Sequence, residues 1–169
     1  MIQKKVCMVG VFGVGKTSLV QQYVHSRFTA KYHSTVGVKI DRRDVDVDGD
    51  AVTLVLWDIA GKDADEDIPP SYVRGSHGVI FVVDMTRRET WNELPALRAL
   101  ITGTAGEVPM VVALNKADIP EQWKMRPDEE TALNATWDVV RTSAKTGEGV
   151  EELFLRVARG VLGKPGATP

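Results

Sequence analysis

Apolar strand-like runs alternate with helix-like runs along the chain, which predicts an α/β domain: a six-stranded, mostly parallel sheet with about five helices over its two faces. Two further features sharpen this. A glycine-rich loop separates the first strand-like run from the first helix-like run, the order of a strand–loop–helix unit. The tripeptide Asp48-Gly49-Asp50 is a tight-turn signal between the second and third runs, which makes that pair an antiparallel hairpin. At 169 residues the chain fits one domain, assigned to 1–163, with a short tail over 164–169.

Strands are expected at 4–9, 38–47, 52–57, 79–84, 110–115 and 137–141. Helices are expected at 16–26, roughly 65–74, 89–101, 127–135 and 150–162. The last helix is the clearest. Val150, Leu153, Phe154, Val157, Ala158, Val161 and Leu162 recur at helical spacing, so one face docks on the sheet. Glycines at 147 and 149 precede it and Gly163 follows, marking its ends. The longest apolar runs, 78–83 and 108–114, are too short to span a bilayer and read as buried strands.

Composition excludes several functions. The apolar fraction of 43% and charged fraction of 26% are those of a soluble globular protein. A formal net charge of −2, with Lys and Arg scattered, argues against nucleic-acid binding and against a polybasic membrane anchor. The lone cysteine, Cys7, allows no internal disulfide and reads as a small core residue, which fits a reducing, cytoplasmic compartment. The start of the chain lacks a secretory signal and does not read Met-Gly, and the end carries no cysteine for prenylation, so no direct lipid anchor is expected.

The chemistry begins at Gly10-Val11-Phe12-Gly13-Val14-Gly15-Lys16-Thr17, a phosphate-binding P-loop in its proper strand–loop–helix context. Glycines let the backbone curl so that N–H groups over Gly13, Val14, Gly15, Lys16, Thr17 and Ser18 point at phosphate, with a helix N-terminus behind them. Lys16 would set a full positive charge on the β- and γ-phosphates, and the Thr17 hydroxyl would ligate Mg²⁺. In Asp58-Ile59-Ala60-Gly61, after the third strand, the carboxylate can hold Mg²⁺ through a water while the Gly61 amide faces the γ-phosphate. Alone, such an Asp-x-x-Gly is a common turn.

Asn115-Lys116-Ala117-Asp118 ends the fifth strand. The Asp118 carboxylate can accept from both N1–H and the exocyclic amine of guanine, a paired donor edge that adenine lacks. The Lys116 stem would lie along the purine, and Asn115 can brace the P-loop. Ser143-Ala144-Lys145, after the sixth strand, would offer a backbone N–H to guanine O6; taken alone it is a helix-capping loop. Thr35, in a polar loop, can complete the Mg²⁺ shell when a γ-phosphate is present and leave it afterwards. In open α/β sheets ligands sit outside the carboxyl ends of the strands, where the P-loop, Asp58, Asn115 and Ser143 all fall.

The chain resembles a Ras-superfamily small GTPase, closest to the Rab branch, from Lys4 to about Leu162. The stretches that carry the resemblance are Trp57-Asp58-Ile59-Ala60-Gly61, Pro70-Ser71-Tyr72-Val73-Arg74-Gly75 with Gly78-Val79-Ile80, and Thr35-Val36-Gly37-Val38. It implies a P-loop NTPase small G domain, a monomer that binds GTP and GDP with Mg²⁺ and meets effector, exchange-factor and activating proteins through two switch segments. These would lie around Thr35 and from Asp58 to about Tyr72. Phe28 would contact the guanine ring from the side, and Tyr32 would cover the phosphates.

Four departures stand out. Lys62 occupies the place of a family glutamine that orients the attacking water, and lysine cannot accept a hydrogen bond from water. It can still neutralise phosphate charge. Phe12 stands at a P-loop position that is small in most of the family, where a ring would crowd an incoming arginine. Both changes imply slow GTP hydrolysis; the alternatives are a Phe12 lying flat outside the pocket and a solvated Lys62. The run Asp63-Ala64-Asp65-Glu66-Asp67 is acidic where Rab proteins carry Arg and Phe. The tail lacks the family's prenylated cysteines, which fits either a shortened chain or a prokaryotic Rab-like GTPase that works without lipid. A GTP-loaded interaction module that does not hydrolyse is the rival reading; an ATPase or kinase is disfavoured by Asp118.

Overall fold

The computed structural model describes residues 1–30, 35–61 and 67–165. Six strands, β1 (Ile2–Gly10), β2 (Val38–Val47), β3 (Asp50–Ile59), β4 (Gly78–Asp84), β5 (Met110–Asn115) and β6 (Asp138–Arg141), form one sheet in the order β2-β3-β1-β4-β5-β6. The pair β2–β3 is antiparallel and every other pairing is parallel. The helices are α1 (Lys16–His25), α2 (Pro70–Val73), α3 (Glu89–Asn92), α4 (Leu94–Ala105), α5 (Pro127–Thr136) and α6 (Val150–Val161), with a 3₁₀ turn at Pro120–Gln122.

Strand alternation divides the core in two. Val6 and Met8 of β1 face one side with Leu54, Leu56, Ile80 and Val82, where α1 and α6 bring Leu19, Tyr23, Leu153 and Phe154. The Tyr23 and Phe154 rings stack there, 3.9 Å apart and 7° from parallel. Cys7 and Val9 face the opposite side with Phe81, Val83, Val112 and Leu114, covered by Val73 of α2, Trp91 of α3, and Leu97 and Ile101 of α4. A strand buried on both faces reads as a continuous apolar run, and β4 is buried at all of its residues.

Two expected helices differ. In the stretch expected at 65–74, the residues from Asp67 to Pro69 are not helical and α2 is confined to Pro70–Val73. The cause is Pro69-Pro70, because a proline disfavours helical backbone in the residue before it; positions 65 and 66 lie outside the described residues. The stretch expected at 89–101 is divided at Glu93 into α3 and α4. Pro95 in the first turn of α4 has no N–H to give to the preceding turn. Elsewhere β2 and β5 keep their expected bounds, while β1 and β3 run one to two residues longer at each end. The strand expected at 137–141 begins at Asp138, since Trp137 closes α5.

The order places β1 between β3 and β4, so connections leave in opposite directions from its carboxyl end. That divergence opens a crevice beside the P-loop.

Candidate functional site

The loop from Gly10 to Lys16 crosses the carboxyl end of β1 and enters α1 directly. Gly15 has φ 104°, and a Cβ there would lie 2.4 Å from Nδ2 of Asn115, so both conformation and space require glycine. No side chain caps the α1 N-terminus among the described residues, and its first turn holds no acid. The helix start is therefore open to an anion.

Lys16 folds back under the loop, 6% exposed, with Nζ 3.4 Å from the carbonyl of Val11. Burial pushes its ammonium down to about 8; Asp58 opposes that shift and Arg87 adds to it. Asp58, at the end of β3, is 1% exposed. Burial pushes its carboxyl up, against a hydrogen bond from Thr17 and the charge of Lys16. The Thr17 hydroxyl lies 2.5 Å from Asp58 Oδ2 and 2.7 Å from Thr35 Oγ1, and Thr35 Oγ1 is 3.5 Å from the same carboxylate oxygen. Asp58 Oδ1 is buried with no hydrogen-bond partner. Two hydroxyls and a carboxylate with an unused buried oxygen form a hard oxygen donor set, and it fits Mg²⁺.

Gly61 passes against the P-loop. A Cβ on it would sit 2.5 Å from Phe12 Cα and 3.0 Å from Lys16 Nζ, so only glycine brings this backbone beside the lysine. Phe12 itself is 46% exposed. Lys62 and Tyr32, singled out from the sequence, lie outside the described residues, as do positions 63–66 of the acidic run.

Gly15, Ser18, Phe28, Asn115, Lys116, Asp118, Ala144 and Lys145 line a cavity of about 260 Å³. A larger one of about 540 Å³ adjoins it, sharing Ser18 and Phe28 and reaching Thr17 and Thr35. Asn115 is 2% exposed and faces inward: Nδ2 donates to the Val14 carbonyl at 2.9 Å, and Oδ1 accepts from Thr142 at 3.2 Å. Ser143, grouped by sequence with the guanine-binding residues, turns its hydroxyl to Asp118. It is fully buried and donates to Asp118 Oδ1 at 2.9 Å.

Three supporting residues went unnoticed in the sequence. Trp123 donates its indole N–H to the Lys116 carbonyl at 2.8 Å, where Lys116 has φ 75°, a left-handed backbone rare outside glycine. Asp84 ends β4 and accepts from the Thr86 amide, the Thr86 hydroxyl and Arg87 Nε. Arg87 continues to the P-loop, donating from Nη2 to the Phe12 carbonyl at 2.9 Å. The one available signal was Asp84, a carboxylate closing an apolar run at the ligand edge of the sheet.

The sequence model of the Ras family matches residues 5–163. Ras-related protein Rab-4 of Dictyostelium discoideum is 34% identical over 163 residues, covering 95% of this chain and 80% of that relative. Rab-4B of Rattus norvegicus and of Homo sapiens are each 34% identical over 163 residues, covering 95% of this chain and 76% of theirs.

Proposed function

The chain belongs to the Ras family as a Rab-like small GTPase, and on that premise we propose a GTP/GDP switch that binds guanine nucleotide with Mg²⁺ and hydrolyses GTP slowly. The observation that carries the metal and phosphate half is the Thr17–Asp58–Thr35 oxygen cluster beside a buried Lys16. Each buried charge is costly alone. A polyphosphate with its cation would satisfy both, and the unpartnered Asp58 Oδ1 and the burial of Lys16 support this reading.

Gly13, Val14, Gly15, Lys16, Thr17 and Ser18 bind phosphate in this reading. Thr17, Thr35 and Asp58 hold Mg²⁺, which when bound neutralises charge on the β- and γ-phosphates. Asp118, kept in place by Ser143, accepts from the guanine edge, with Phe28, Lys116, Ala144 and Lys145 around the ring. Effector, exchange-factor and activating proteins would meet the segments at Thr35 and from Asp58 to Tyr72. The protein acts as a cytoplasmic monomer.

Hydrolysis is attack of water on the γ-phosphorus with GDP leaving. Lys16 and the Gly61 amide serve the phosphate, while Lys62 brings charge but no acceptor for the water's proton. Intrinsic turnover is therefore at or below the order of ~10⁻⁴ s⁻¹. The second reading, a module that stays loaded with GTP, follows if the bulk of Phe12 at the rim adds to the loss at Lys62.

Single-turnover hydrolysis of preloaded Mg²⁺·GTP, wild type beside Lys62→Gln, separates them. Slow wild-type turnover accelerated by glutamine supports the slow switch. No detectable wild-type turnover, restored by glutamine, supports the loaded module. Wild-type turnover as fast as the variant would sink the role given to Lys62.

A further inference from the structure

Three carbonyls of the P-loop accept hydrogen bonds from side chains. Lys16 Nζ reaches Val11, Arg87 Nη2 reaches Phe12 at 2.9 Å, and Asn115 Nδ2 reaches Val14 at 2.9 Å. In a trans peptide unit the carbonyl and the following N–H point in opposite directions, and no cis peptide occurs among the described residues. Each of these bonds thus turns the next residue's N–H to the other side of the loop. For Phe12 that next donor belongs to Gly13, at φ 78°.

We propose that Arg87 is a positioning residue for nucleotide binding: by holding the Phe12 carbonyl on the outer side of the loop, it aims the Gly13 N–H at the phosphate chain. This rests on the nucleotide reading of the P-loop. Arg87 is itself held at both ends of its fork. Nε donates to Asp84 Oδ2 at 3.1 Å while Nη2 serves Phe12. Asp84 is 4% exposed, and its other oxygen is taken by Thr86. The Arg87 backbone N–H closes the same turn onto the Asp84 carbonyl at 3.0 Å. The brace thus runs from the end of β4 to the P-loop through one planar guanidinium. A lysine is a point charge and cannot span both acceptors in that geometry.

The test compares wild type, Arg87→Met and Arg87→Lys, each loaded with Mg²⁺·GDP. The readouts are GDP release rate, the ³¹P resonances of bound GDP and the Gly13 amide resonance. Arg87→Met keeps the aliphatic stem on a partly exposed side chain. It is expected to release GDP on the order of tenfold faster, with the Gly13 amide and β-phosphate resonances displaced. Its guanine-over-xanthine preference should not move, because Asp118 is untouched. Arg87→Lys is expected to release faster than wild type as well. Full rescue by lysine would make charge alone responsible and overturn positioning. Unchanged release with unshifted resonances in either variant would overturn it too, and if Arg87→Met does not fold, Arg87→Lys decides. A wild-type chain that holds no GDP would remove the nucleotide reading and this proposal together; one that holds GDP but ignores Arg87 removes only the proposal.

Discussion

The Thr17 hydroxyl sits 2.5 Å from Asp58 Oδ2, while Oδ1 of the same buried carboxylate has no hydrogen-bond partner. Half of this carboxylate is thus tied to the start of α1, and half is buried without a partner. An unsatisfied buried acceptor costs about 1–3 kcal/mol.

Replacing Asp58 by Asn removes the charge and keeps the shape. Because burial raises the Asp58 pKa, the folded state holds its proton more tightly than the unfolded one. The carboxylate therefore lowers stability as pH rises through that window. The nucleotide-free Asp58→Asn protein should be at least as stable as wild type, because the buried charge is gone while an unpartnered polar atom remains. Its further stabilisation by Mg²⁺ in the presence of GDP should vanish. Thermal unfolding with Mg²⁺ and with EDTA reads both, and an intact Mg²⁺ response in the variant would refute the metal assignment.

Lys16 supplies a pH dependence of defined sign. Its folded pKa is about 8 against an ordinary 10.5. Between those values the free folded protein has lost the proton that the unfolded chain keeps, so this group adds stability as pH rises from 8 toward 10.5. Polyphosphate restores the ammonium, so GDP binding must take up a proton in that window. Affinity should then fall with rising pH, by up to about tenfold per unit. Calorimetry at pH 8.5 in buffers of different ionisation enthalpy should detect the uptake, and it should disappear below pH 7.

On the proposed reading, Asp118 recognises guanine and Ser143 supports Asp118. Asp118→Asn should shift preference from guanine to xanthine, whose O2 replaces the amine and calls for a donor. Ser143→Ala removes the 2.9 Å bond that holds the carboxylate. It should weaken GDP by on the order of tenfold while leaving the guanine-over-xanthine ratio nearly intact. Competition binding with GDP and xanthosine diphosphate distinguishes the two. A variant of Asp118 indifferent to xanthine would point to another base.

Much of the fold was legible because its signals are local. Apolar runs of strand length, the turn at Asp48-Gly49-Asp50 and the 3.6-residue stripe of α6 each depend on neighbours within a few positions. The two helices that differed did so at prolines, where Pro69-Pro70 and Pro95 act on backbone that hydrophobic spacing alone calls helical.

By itself, the sequence determined the αβ order, the P-loop with its glycines, and the residue types that gather at the strand ends. Backbone propensity and burial pattern dictate those before any distant contact forms. Only the tertiary structure decided which groups face one another across the crevice. Asn115 meets Val14 across 101 positions, Arg87 meets Phe12 across 75, and Ser143 meets Asp118 across 25. The sheet order, with β1 set between β3 and β4, brings those strand ends together. Contacts of that kind carry no periodicity in the chain, because they are fixed by strand neighbours and not by sequence neighbours.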